Sequence, residues 1–241
     1  MQVPEAPQAN LTRPFTMVDV SIFAVLHDRL QVLLIQRSNR PSEPFPGRWA
    51  LPGGYIDVDR DETLEECALR KLKEKTGVTS PYLEQLGSWG SKSRDPRGWS
   101  ATHAYFALIP ADATGNLVSG GNAANAHWMP LTGSGVSESL AFDHTEILAA
   151  AIERLRGKVE YTSLPAFLLP REFTLTDLQH MYEIVLERKL EKSAFRTRVL
   201  SNDLVVATRR FREGSNRPAQ LYRLKSLAKP VFFQRTFKPA E

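Results

Sequence analysis

A single cysteine, Cys67, in 241 residues excludes an intrachain disulfide and the small secreted scaffolds that rely on cross-links. No apolar run approaches the length of a membrane-spanning helix. Residues 1–14 lack the charged-then-apolar order of a secretory leader. With Pro4, Pro7 and Pro14 among polar residues, they read as a loose tail. Internal repeats and low-complexity tracts are also missing. Together these absences lead us to expect a cytoplasmic protein with no membrane partner. What remains is an apolar fraction of 42%, ample for a core, in a chain long enough for one large domain or two modest ones.

The net charge of +4 hides an asymmetry. Residues 188–241 hold fourteen Lys and Arg against four carboxylates, giving +10, whereas residues 1–187 hold seventeen against twenty-three, giving −6. A basic quarter on an acidic body is the electrostatic footprint of a polyanion-binding protein. A merely solubilising surface is the alternative.

Periodicity organises the acidic part. Val18, Val20, Ile22, Ala24 and Leu26 alternate as a strand with one face on a core, and 30–35 is a second strand across His27-Asp28-Arg29. Residues 37–49 form an irregular Pro-rich loop. Leu64, Ala68 and Leu72 make an i, i+4, i+8 helical stripe that ends at Gly77, a C-cap, and Cys67 beside it reads as a small core residue. Asp59 and Glu62 have capping-box spacing at its start, and Glu66 precedes Arg70 in the favoured charge order. Strands are expected at 82–89, 101–109 and 127–130, with a flexible connection at 111–125. Asp143 and Glu146 then open a helix with a second capping box, ending at Gly157.

After Ser163 the composition changes. Thr174 and Asp177 cap a helix with the apolar stripe Leu178, Met181, Tyr182 and Val185. A short turn leads to 192–201, where Phe195 and Val199 face inward and Lys192, Ser193, Arg196, Thr197 and Arg198 form a polar-basic side. Two strands, 204–207 and 220–224, enclose a basic tip carrying Arg209, Arg210, Arg212 and Arg217. This is the pattern of a winged helix-turn-helix, with a helix for the major groove and a charged wing for the backbone or minor groove. Arg196 is the best single candidate for a base-edge contact, because arginine to guanine is the commonest such contact. A basic dimerisation or RNA-binding lobe is the alternative.

The most specific stretch is 51–78, Leu-Pro-Gly-Gly-Tyr-Ile-Asp-Val-Asp-Arg-Asp-Glu-Thr-Leu-Glu-Glu-Cys-Ala-Leu-Arg-Lys-Leu-Lys-Glu-Lys-Thr-Gly-Val. It resembles the Nudix box, G-x5-E-x7-R-E-U-x-E-E-x-G-U, where U is bulky and aliphatic. Glu62, Arg70, Leu72, Glu74, Gly77 and Val78 match. Lys71 and Lys75 stand where the family carries metal-binding glutamates, and Gly54 lies two residues too far from Glu62. An ammonium has no lone pair for a metal. No catalytic residue, metal or cofactor is therefore expected, and Lys71 and Lys75 are read as fixed cations for a diphosphate. An ordinary solvated helix face is the alternative. Within the family, the Arg94-Asp-Pro-Arg-Gly98 and Leu140-Ala-Phe-Asp-His144 segments are similar to those of ADP-ribose pyrophosphatases. The candidate ligand set adds Arg37, Arg94 and Arg97 for phosphate or ribose oxygens, Trp49, Tyr55 or Trp99 for stacking an adenine, and Gly53 and Gly54. Each aromatic taken singly fits a core or interface equally well.

A degenerate Nudix domain followed by a winged helix resembles the Nudix-related transcriptional regulators of NAD biosynthesis, the NrtR family. The resemblance implies an α/β (α+β) chain: a Nudix-like mixed sheet sandwiched by helices, followed by a winged helix-turn-helix. We expect a tail at 1–14, a ligand-sensing domain at 15–157, and a linker with the DNA-binding domain at 158–241. The family implies a homodimeric repressor of NAD synthesis or salvage genes, bound to double-stranded operator DNA and released by ADP-ribose. Two competing readings stay open. One is a Nudix hydrolase with a basic accessory domain, using Glu62, Glu65, Glu66 and Glu74 as ligands; the other is an RNA-binding processing factor.

Overall fold

The computed structural model describes residues 13–77, 82–116, 126–213, 218–226 and 230–233, without the side chains at 75, 76, 115 and 116. The loose tail expected at 1–14 lies almost entirely outside the described residues, as does most of the connection at 111–125.

A seven-stranded mixed sheet forms the larger part. Strands β1 (Phe15–Leu26), β2 (Arg29–Gln36), β3 (Trp49–Ala50), β5 (Tyr82–Ser91) and β6 (Ser100–Leu108) run in the order β3-β2-β1-β6-β5. Short β4 (Gly53–Tyr55) pairs with β1, and β7 (Ala126–Pro130) pairs with β2. Among the described strands only β1 and β6 pair in parallel, from Phe15 opposite Ser100 to Phe23 opposite Leu108. The β1–β2 turn places His27 and Asp28 at φ 51° and 57°, the backbone of a tight hairpin turn.

The alternation in β1 predicts one buried face, and the structure buries both. Val18, Val20 and Ile22 point to one core, with Cys67, Ala68 and Leu72 of α1 (Leu64–Thr76). Phe23 and Val25 point to the other, under α2 (His144–Val159). A strand flanked on both edges and covered on both faces buries its polar positions too, so Asp19 and Ser21 are interior. Leu72→Ala in the first core is expected to cost about 2–5 kcal/mol.

The second core does not stop at the sheet. It continues from Leu155 and Val159 of α2 through a 3-10 helix at Leu164–Leu168 into Leu178, Met181 and Val185 of α3 (Leu175–Leu186). From there it reaches Phe195 and Val199 of α4 (Lys192–Ser201). Strands β8 (Val205–Arg212) and β9 (Ala219–Leu224) form the hairpin that follows, with an irregularity between Ala207 and Phe211. A bridge from Tyr222 to Phe173 ties it to the start of α3. Both strands extend further toward the tip than the apolar pattern suggests.

The helix starts separate expectation from outcome. Thr174 caps α3 with Asp177 as its sequence spacing predicts. At α1 the cap is Thr63 with Glu66, not Asp59 with Glu62. Glu66 is therefore occupied by backbone N–H groups, and Arg70 pairs with Asp61 and Glu74 instead. At α2, Asp143 stands at the cap position but makes no side-chain cap bond, and the helix runs through Gly157 to Val159.

Candidate functional site

A cavity of about 230 Å³ opens where β1, β2, β4 and the loops after β5 and β7 meet. Six expected residues line it: Arg37, Gly53, Gly54, Tyr55, Arg94 and Arg97. Its other polar and aromatic lining residues are Asp19, Glu43, Phe142 and His144. These four were absent from the expected set. Asp19 is hidden within an apolar strand, and the other three depend on folds of the chain that spacing does not reveal.

Each arginine is held by a carboxylate. Arg37 donates to Glu43 at 3.0 Å and to the Pro44 carbonyl at 2.7 Å, with its guanidinium 4.9 Å from the Phe142 ring centre. Arg97 grips Asp95 through Nε and Nη2 at 2.9 and 2.6 Å and lies 5.5 Å from the Tyr55 ring centre. Arg94 makes the same two-point contact with Asp143, at 2.8 Å for each bond. A guanidinium has five N–H donors, so each pair orients the fork while leaving donors for a ligand oxygen.

The floor is a buried polar network. Asp19 lies 3.8 Å from Arg94 and 3.4 Å from His144 Nε2, and His144 Nδ1 accepts the Leu51 N–H at 2.9 Å. Burial alone would raise the Asp19 pKa, but the His144 contact and the Arg94 charge hold it below the ordinary carboxylate value. Gly53 is required beside it. A Cβ there would meet Asp19 Oδ1 at 2.0 Å and the Val18 carbonyl at 2.5 Å. Gly54 has φ 147°, open mainly to glycine, and a Cβ on it would lie 3.2 Å from Lys71 Nζ. That places the Lys71 ammonium at the pocket edge. The Lys75 side chain lies outside the described residues.

Two expected stacking residues are elsewhere. Trp49 packs edge-on to His127, with ring centres 5.3 Å apart, and its carbonyl accepts the Ala141 N–H. Trp99 is half exposed over Gly90, its ring carbon 3.2 Å from where a Cβ would sit. Neither lines the cavity: Trp49 in β3 packs against the second core, and Trp99 lies on the surface just before β6. Tyr55, 43% exposed beside Phe15, is the aromatic that the pocket does present.

On the Nudix-like helix, the carboxylate that matches the box is engaged by arginines. The Glu74 carboxylate is bonded by Arg70 at 3.1 Å and approached by Arg60 at 3.4 Å, and those cations lower its pKa against the opposing effect of burial. Arg70 also holds the enclosed Asp61 carboxylate at 2.5 Å. Among the described residues no group of three or more His, Cys, Asp or Glu is placed to hold a metal ion. Burial, then its contact with Asp61, pushes the Cys67 thiol up to about 11, so it is no nucleophile at neutral pH.

The basic face is built on α4. Phe195 and Val199 anchor it, Phe195 edge-on to Tyr182 at 5.2 Å, and Glu191 caps it through the Ser193 and Ala194 N–H groups. Lys192, Ser193, Arg196 and Thr197 are exposed together on the outer side. Arg198 is not among them. It turns back, donating to the Glu160 carbonyl at 2.6 Å and lying 5.1 Å from the Phe233 ring centre. On the hairpin Arg209 is exposed, whereas Arg210 and Arg212 are exposed but paired with Glu172 and Asp177 at 3.0 and 2.9 Å. Arg217 lies outside the described residues.

Among the described residues no helix is long and apolar enough to cross a membrane. Residues 16–151 match the profile of the NUDIX domain, and residues 165–224 match that of the NrtR DNA-binding winged helix domain. A relative from Acinetobacter baylyi, described as an ADPR responsive transcriptional repressor, is 48% identical over 90% of this chain and 84% of its own. The solved structure of Shewanella oneidensis NrtR complexed with a 27mer DNA superimposes with a TM-score of 0.83 at 42% identity, covering 92% of this chain and 99% of that one. The Nudix domain of the same Shewanella protein, complexed with ADP ribose, matches with a TM-score of 0.54 at 42% identity over 63% of this chain and 94% of its own. A Nudix fold that continues through one core into an NrtR winged helix thus places this chain in the NrtR family.

Proposed function

We propose that this chain is a DNA-binding repressor of NAD synthesis or salvage genes, released from its operator by ADP-ribose bound in a Nudix pocket that does not hydrolyse it. The observation that carries the reading is the pairing of two surfaces in one chain. One is an enclosed pocket of arginine forks with an aromatic rim, and the other is an exposed basic helix beside a basic hairpin. The named relatives support both halves, one as an ADPR-responsive repressor and another solved with DNA and with ADP ribose.

In this reading Arg37, Arg94, Arg97 and Lys71 meet the diphosphate and ribose oxygens, Gly53 and Gly54 let the ligand approach the backbone, and Tyr55 stacks on the base. Lys192, Ser193, Arg196 and Thr197 face the major groove, and Arg209, with Arg210 and Arg212 once they leave their carboxylates, meets phosphates. Two copies on a two-fold operator follow from the half-site logic of helix-turn-helix proteins. A ligand relieves repression only if it prefers the DNA-incompetent arrangement.

The absence of hydrolysis is supported by Lys71 beside the pocket and by Glu74 tied to two arginines. A magnesium ion needs carboxylate oxygens that are free to coordinate it. Incubating the protein with ADP-ribose and Mg²⁺ tests this point. Unchanged ADP-ribose is expected, and catalytic release of AMP and ribose phosphate would return the chain to the hydrolases.

A further inference from the structure

We infer that Asp143 is a positioning residue that surrenders Arg94 to an incoming diphosphate and caps α2 instead, and that α2 carries this exchange to the basic helix α4. The inference rests on the ADP-ribose reading of the pocket and adds how its occupancy is read.

Three helix starts can be compared. Thr63 and Thr174 have extended backbones, ψ 161° and 160°, and each completes a capping box with the residue three positions on. Asp143 and Glu146 have the same spacing, yet Asp143 sits at ψ 19° with no side-chain cap bond. The reason is Arg94, whose Nε and Nη2 take both carboxylate oxygens at 2.8 Å. A capping box encoded in the sequence is thus unused in this arrangement, because its first member is engaged 49 residues away.

Arg94 lines the cavity. A diphosphate oxygen pair fits a guanidinium fork as a carboxylate does and carries more charge, so it competes for the same two N–H groups. A neutral ribose does not. Once Asp143 is displaced, its carboxylate faces a like-charged ligand. Rotation to the extended backbone removes it from the ligand and lets it accept the Glu146 N–H.

The far end of α2 is fastened to the winged helix. Arg156 donates to the Val185 carbonyl at 3.3 Å and to Glu187 at 2.5 Å. Just past the helix end, the Glu160 carbonyl accepts Arg198 of α4. A cavity of about 430 Å³ opens beside these contacts, lined by Val159 of α2, Tyr182 and Leu186 of α3 and Ala194 and Arg198 of α4, leaving room for α4 to change its seat without overpacking.

The test uses the full chain, a labelled duplex from the promoter of its own gene at fixed salt, and ADP-ribose titrated by anisotropy and calorimetry. Asp143→Ala loses the Arg94 pair, whereas Asp143→Ser loses the pair but keeps a capping oxygen. Without ligand, DNA affinity is expected to fall from wild type to Asp143→Ala to Asp143→Ser, the last about tenfold weaker, with ADP-ribose affinity kept or raised. A role in packing alone would not order Ser below Ala. Glu146→Ala should leave ligand-free DNA binding unchanged and require about fivefold more ADP-ribose for half-release. Equal DNA binding by Ala and Ser variants, or an unshifted Glu146→Ala titration, overturns the inference. The Glu146→Ala arm decides if the Asp143 variants do not fold. Failure of the wild-type protein to release DNA with ADP-ribose would instead remove the sensing reading beneath it.

Discussion

The arginines of the pocket and those of the winged helix have the same chemistry and opposite circumstances. Arg94 is buried, Arg37 half-buried and Arg97 exposed at the rim, and each is paired with a carboxylate that orients its fork in the ligand-free chain. Arg196 and Arg209 are exposed and, among the described residues, make no ion pair. The first arrangement suits one small anion, because the guanidinium forks are already oriented by their carboxylates and need little ordering of their own. The second suits a long polyanion, where affinity comes from releasing counterions and side chains must adapt to a groove. Arg210 and Arg212 stand between these extremes, exposed but paired.

Removing one arginine from each set should separate the two roles. Arg94→Ala removes the partner of Asp143 and leaves the buried Asp19 with His144 as its remaining charged neighbour, and is expected to lower unfolding free energy by about 3 kcal/mol in chemical denaturation. A loss near zero would show that the pocket arginines are not structural and would break the contrast. Arg196→Ala should leave the denaturation midpoint unchanged while weakening specific DNA binding by about 1–3 kcal/mol, with specificity relaxed at one base position. Arg209→Ala is expected to be milder still. It weakens binding to all sequences alike and reduces the slope of log K against log salt by about one. A sequence-dependent effect there would place Arg209 on a base.

The smallest effect is on stability in acid. Burial would raise the Asp19 pKa, but His144 and Arg94 hold it below its ordinary value, and Lys189 with the Leu190 N–H holds Glu183 at about 2. Both are depressed in the folded chain, so their contribution is complete above the ordinary values of 3.8 and 4.5. It is lost as pH falls through the depressed values. The denaturation midpoint is expected to hold between about pH 7 and pH 5 and to fall below that. Asp19→Asn should flatten the part of the fall that belongs to the pocket.

Legibility in the sequence followed the range of the interactions. The α1 stripe, the Thr174 cap and the anchored face of α4 are local patterns, and each was readable from spacing of three or four residues. Asp59 with Glu62 and Thr63 with Glu66 offer α1 equivalent spacings, and only the backbone path selects Thr63. The floor of the pocket was not readable. Asp19 occupies a polar slot in an alternating strand that would face solvent if β1 were not central. Asp143 reads as a cap until Arg94 claims it from a distant loop. Arg198 reads as part of the basic face of α4 until the end of α2 is placed beside it. Trp49 and Trp99 suit a stacking role by chemistry alone, and only the tertiary fold shows that one packs on the core and the other lies on the surface.

The central claim is that occupancy of the arginine pocket controls the basic helix. Its most direct test is anisotropy of a labelled duplex from the promoter of the chain's own gene, at fixed salt, titrated with ADP-ribose. The account predicts saturable release of the DNA, with the apparent affinity for DNA falling about tenfold or more, and no release by ribose alone. DNA binding that stays undiminished while calorimetry shows the pocket filled would contradict it.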